Sequence, residues 1–143
     1  MGLSHRATSL ISWGVNAGTR FQKSGENPSR NLSSYVAFNR LPFINVRATL
    51  RANFLQTNFL DSQIFGARLT KELIKGKLSG ELYYRWVDYK YKVGDRILHQ
   101  DIGGASLNFR LRKNLSLFVF WEGVFENTNK QYQRFNVKII QRF

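Results

Sequence analysis

The chain has 143 residues, with 22 Lys and Arg against 9 Asp and Glu for a formal net charge of +13. It has no Cys and two His, which excludes a disulfide framework and a thiolate metal site and leaves too few ligands for a multi-His metal centre. Hydrophobic residues at 43% are too many for a disordered chain, and the length sets the bound at one domain.

Residues 1–7 read as a flexible lead that carries His5 and no apolar run of the signal-peptide kind. The longest uninterrupted apolar run is Leu117 to Trp121, far short of the roughly 20 residues a spanning helix needs. What recurs instead is a period of two, eight times. Ile11, Trp13, Val15, Ala17, Thr19 and Phe21 alternate with Ser12, Gly14, Asn16, Gly18 and Arg20. The stretch from Leu32 to Arg40 follows, with two similar faces. Ile44, Val46, Ala48, Leu50, Ala52 and Phe54 then alternate strictly with Asn45, Arg47, Thr49, Arg51 and Asn53, the pattern of a strand with one apolar and one polar face.

Phe65, Ala67 and Leu69 alternate with Gly66, Arg68 and Thr70, where Leu69, Leu73 and Ile74 also fit a helical stripe. Leu78 to Trp86, Ala105 to Arg112, Leu115 to Glu122 and Arg134 to Phe143 complete the series. Connections at 39–43, 74–77 and 112–114 read as tight turns, and those at 23–31, 56–63, 92–100 and 126–133 as longer polar loops. Eight antiparallel strands with turns alternating in length place all the short turns at one end. The expected fold is all-β: an antiparallel up-and-down β-barrel of about eight strands, complete in itself or the last eight strands of a larger one.

Alternation leaves open whether the apolar face meets a core or lipid, and three features favour lipid. The polar face carries Arg20, Arg47, Arg51, Arg68, Arg85, Arg110, Arg134 and Lys138, answered by Glu72, Glu81 and Glu122, among Gly, Ser, Asn and Thr. That mixture suits a crowded, hydrogen-bonded lumen. Phe21, Phe54, Phe65, Trp86, Trp121 and Phe135 fall near the long-loop ends of their strands on the apolar face, as an aromatic belt at a headgroup layer would. The ten steps from Ile44 to Phe54 span roughly 33 Å, which at a tilt of about 40° gives a band of roughly 25 Å.

The chain ends Phe135-Asn136-Val137-Lys138-Ile139-Ile140-Gln141-Arg142-Phe143. An alternating last strand with a terminal aromatic resembles the C-terminal assembly signal of Gram-negative outer-membrane β-barrels. The third-last place, aromatic in many such signals, is Gln141 here. The resemblance implies an outer-membrane location, contact with the barrel assembly machinery through Phe143, and a lipid bilayer as the principal partner.

The expected function is membrane anchoring or passive passage, with the chain forming a barrel or channel wall whose Arg-rich lumen favours small anions. No enzyme, cofactor or metal is expected. Two other classes compete. One is a soluble basic β-barrel binding nucleic acid or another anionic polymer, for which the aromatic and basic run Tyr83 to Tyr91 is the feature. The other is a lipid-modifying outer-membrane enzyme, for which His99, Asp101 and Ser106 are the available groups, at a spacing that does not complete a triad. Gly103-Gly104 marks a strand bend or a close backbone approach rather than a phosphate loop.

Overall fold

The computed structural model describes residues 2–5, 10–21, 28–41, 44–128 and 130–141. Nine strands lie among them: β1 (Gly2–His5), β2 (Ile11–Arg20), β3 (Ser29–Phe38), β4 (Val46–Gln56), β5 (Leu60–Ile74), β6 (Leu78–Tyr91), β7 (Ile97–Arg112), β8 (Leu115–Glu126) and β9 (Gln131–Gln141). They form one antiparallel sheet in chain order, with no helix among the described residues. Each of the eight alternating segments is a strand. The helical stripe at Leu69, Leu73 and Ile74 is not used; β5 runs through it as far as Ile74.

Three expectations need correction. Gly2–His5, placed in a flexible lead, pairs with Trp13–Asn16 as an edge strand, too short to display its alternation in sequence. The sheet is not closed: β1 and β9 are its edges and no pairing joins them. Alternation fixes which strands form and which face each residue takes, but closure depends on an edge-to-edge register that no side-chain pattern encodes. The connections do not alternate long and short either. The strands extend through the polar segments read as loops, so that 57–59 and 92–96 are shorter than the connection at 39–45.

The turns at 75–77 and 113–114 stand where Gly and Asn punctuate the sequence. Gly76 takes φ 70°, the left-handed region a side chain resists, and Lys77 N–H closes the turn on Ile74 O at 3.0 Å. Register shifts at Glu72/Ile74 and Arg110/Arg112 put a bulge beside each of these turns.

The sheet is a single layer. Among the described residues, each strand touches only its sequence neighbours, and the buried hydrophobic residues are Ala48 and Val87, at 8% and 3% exposure. The accessible surface is 11108 Å², against roughly 7600 Å² for a globular monomer of this mass. The apolar face therefore lies open: Leu50, Leu82, Val137 and Ile139 are all exposed. Open apolar surface beyond a few hundred Å² marks a face that meets a partner or a membrane.

Candidate functional site

The two faces are fixed by register. On the polar face, one row of directly opposed residues reads Thr49, Arg68, Tyr83, Gly104, Glu122 and Arg134 from β4 to β9. The row beside it reads Gly14, Tyr35, Arg51, Gly66, Arg85 and Ile102 from β2 to β7. All the charged residues expected in a lumen fall on this face.

Part of that set is drawn together. Glu122, whose side chain is 15% exposed, binds Arg85 Nη2 at 3.2 Å and Arg134 Nη2 at 3.3 Å. The Tyr83 hydroxyl donates to the same carboxylate. Arg68 Nε lies 3.6 Å from Glu81. The guanidinium carbons of Arg85 and Arg68 stand 5.4 and 6.0 Å from the Tyr83 ring centroid, and that of Arg134 stands 5.5 Å from Phe120. The shared carboxylate and the ring faces hold these guanidiniums in place. Among the described residues, Arg20, Arg47, Arg51, Arg110 and Lys138 make no ion pair, and Glu72 turns back to accept from Gly76 N–H at 2.5 Å.

Tyr83 is the residue that sequence reasoning missed. Alternation sets it on the polar face, apart from Tyr84 and Trp86, but nothing in the sequence shows its contact with Glu122 across β7. Tyr83 lies across Gly104, where a Cβ would come within 2.4 Å of the ring. Tyr35 lies across Gly14 in the same way, a Cβ there meeting the ring at 2.5 Å. The close approach expected at Gly103-Gly104 is thus found at Gly104, and its cause is a tyrosine two strands from the carboxylate it reaches. The signal available in sequence was Tyr and Gly on polar-face positions of successive strands.

The apolar face carries a second regularity. Following each strand toward the 57–59 and 92–96 loops, its apolar positions give way to polar ones at Thr19, Arg30, Gln56, Gln63, Asp88, Asp101 and Gln133 on β2 to β7 and β9. Thr19, Arg30 and Gln56 share one register row; Gln63 and Asp88 lie one row lower, Asp101 two, and Gln133 three. The border is not unbroken: Phe125 interrupts it on β8, Ser34 lies inside it on β3, Ile97 lies beyond it on β7, and Phe21 follows Thr19 just past β2. At about 3.3 Å per residue and about 4.8 Å per strand, the border runs at roughly 30° to the rows. Strands that are to line a barrel lie at about 35–45° to its axis, and a band level with a membrane then crosses the rows obliquely.

The aromatics follow the slope. Phe54, Phe65, Trp86 and Phe135 each stand immediately inside the border, two residues from Gln56, Gln63, Asp88 and Gln133. Phe54 and Phe65 meet edge to face at 5.6 Å, Phe65 and Trp86 at 5.6 Å, and Trp86 and His99 edge to face at 4.8 Å. Trp121 pairs across from Phe135, and Phe21 lies just past β2.

His99 and Asp101 belong to the apolar face and Ser106 to the polar one, so the three residues weighed for lipid chemistry are not brought together. His99 Nδ1 is 3.9 Å from Asp88, and Asp101 accepts from the Tyr84 hydroxyl. Beyond the border the loops are tied to one another: Lys92 Nζ reaches Asp61 at 2.9 Å and Thr57 O at 2.7 Å, and Gln100 donates to Glu126 at 2.7 Å. Phe143 lies outside the described residues. Compared with protein-family models, with curated proteins and with solved structures, the chain finds no match in any of the three.

Proposed function

We propose that this sheet is a section of the wall of a β-barrel in a Gram-negative outer membrane, with lipid on its apolar face and the lumen on its Arg-rich face. The observation that carries the reading is the slanted border with Phe54, Phe65, Trp86 and Phe135 along it. A soluble barrel tilts its strands as well, so the slant supports a barrel; what favours lipid is the line of aromatics along the border and the wide exposed apolar face behind it. A membrane accounts for both, because the apolar band meets lipid and aromatic rings settle at the headgroups.

Bare backbone at a sheet edge is costly in lipid, so in this reading β1 and β9 are covered by further β-structure in the membrane. The work is mechanical: an anchor, or a wall past which small solutes move. Eight basic side chains against four acidic ones, Glu72, Glu81, Glu122 and Glu126, make the lumen face electropositive and favour anions. The stretch from Phe135 to Phe143 is, in this reading, the segment that the barrel assembly machinery recognises. The test is extraction and migration: the purified chain is expected to need detergent and to shift its gel mobility on boiling. A monodisperse species in plain buffer would overturn the reading and favour the soluble, polyanion-binding alternative.

A further inference from the structure

The polar face holds one glycine whose presence neither its backbone nor its neighbours require. Gly104 and Gly14 make room for tyrosine rings, and Gly76 and Gly94 take positive φ. Gly66 does neither: its φ is ordinary, and a Cβ would meet Arg85 Cγ at 3.6 Å and Tyr84 O at 3.8 Å, which is normal contact. What surrounds it is charge. Arg51 on β4 and Arg85 on β6 stand directly opposite it on either side, and Arg68 follows two residues along the same face of β5. The three arginines line one recess, with Thr49, Asn53 and Tyr83 beside them and Gly66 between them.

Among the described residues, no carboxylate lines that recess. The nearest ones engage the arginines from outside it, Glu81 through Arg68 Nε and Glu122 through Arg85 Nη2. A guanidinium has five N–H donors, so each arginine keeps donors to spare, and Arg51 makes no ion pair among the described residues. Three guanidinium side chains lining one recess suit an anion with several oxygens, and suit it better than a halide, which offers no second atom to a bidentate donor.

We infer that Arg51, Arg68 and Arg85 over Gly66 form a binding site for a phosphate group, free or carried as a small monoester. In this arrangement Gly66 leaves the floor open, Tyr83 fixes Arg68 and Arg85 by their ring contacts, and Thr49 and Asn53 supply neutral polar groups at the margin. The site rests on the lumen reading for its setting, since it would give an anion-favouring wall one defined station.

The experiment uses the full chain folded in detergent micelles and inorganic phosphate as the probe, followed by calorimetry at low ionic strength. Saturable binding is expected, with acetate at least about tenfold weaker because it presents a single carboxylate to three forks. Arg51→Gln is expected to weaken phosphate by about tenfold and Gly66→Leu to abolish binding, while Lys113→Gln, which removes the same charge from a distant turn, leaves it unchanged. Arg51→Lys keeps the charge and loses the fork, so it answers the question if the glutamine variant does not fold, and it too is expected to weaken binding. Competition by glycerol phosphate assigns the site to esters, and its failure to compete assigns it to free phosphate; both support the proposal. Equal losses in Arg51→Gln and Lys113→Gln, or unaltered binding in Gly66→Leu, would overturn it. Phosphate binding by a chain that needs no detergent would keep the site and remove the membrane reading; insertion without phosphate binding would do the reverse.

Discussion

Tyr83 and Gly104 face each other across β6 and β7 so closely that a Cβ on Gly104 would lie 2.4 Å from Tyr83 Cζ. The glycine is what lets the ring lie flat and carry its hydroxyl one strand further, to Glu122 on β8. Gly104→Ala is therefore expected to displace the ring and cost about 1–3 kcal/mol, combining overpacking with a lost hydrogen bond to a charged group. Gly66→Ala, with only ordinary contacts awaiting its Cβ, is expected to change stability by less than about 0.5 kcal/mol. Denaturant midpoints of the two variants in micelles check the contrast.

Glu122 is the hub of the polar network, since Arg85, Arg134 and Tyr83 all end on its carboxylate. Glu122→Gln is expected to cost about 1–2 kcal/mol, less than a fully buried pair because both arginines are well exposed. Arg134→Ala, which leaves the carboxylate with two partners, is expected to cost less than about 1 kcal/mol. Unfolding of the single and double variants, read as a cycle, separates the two arms.

The two faces of β7 make different demands. Leu107 belongs to the apolar face and Asn108 to the polar one. Leu107→Arg is expected to destabilise the lipid-inserted protein by about 2–4 kcal/mol, and Asn108→Arg by less than about 1 kcal/mol. Unfolding from lipid vesicles measures both; equal effects would show that the faces are not differently solvated.

Removal of Phe143 is expected to lower the amount of chain assembled in the outer membrane without changing its synthesis. Fractionation of cells expressing the truncated chain checks this, and undiminished membrane assembly would contradict it.

The strands were legible because the apolar band writes its alternation into every strand that crosses it. Where apolar and polar residues stop alternating the signal fades, which is why Leu60 to Gln63 and Ile97 to Gln100 read as loops although they extend β5 and β7 beyond the border. Face assignment was legible as well: Arg47 and Arg134 lie far apart in sequence yet share one side of the sheet. The network was not. Which guanidinium meets Glu122 depends on register between strands, and register turns a tyrosine in an aromatic run into the centre of an ion-pair cluster. Closure was beyond the sequence for the same reason, because it is a relation between edges rather than a pattern along one strand.

The most direct measurement of the central claim uses the three tryptophans, Trp13, Trp86 and Trp121, all of which fall on the apolar face. The full chain is reconstituted in vesicles of lipid brominated along the acyl chain, and emission is read against an aqueous quencher. The membrane account requires strong quenching by bromolipid, greatest for bromines near the headgroup in variants retaining only Trp86 or Trp121, and weak quenching by aqueous acrylamide. Emission that bromolipid leaves untouched and acrylamide quenches freely would contradict it.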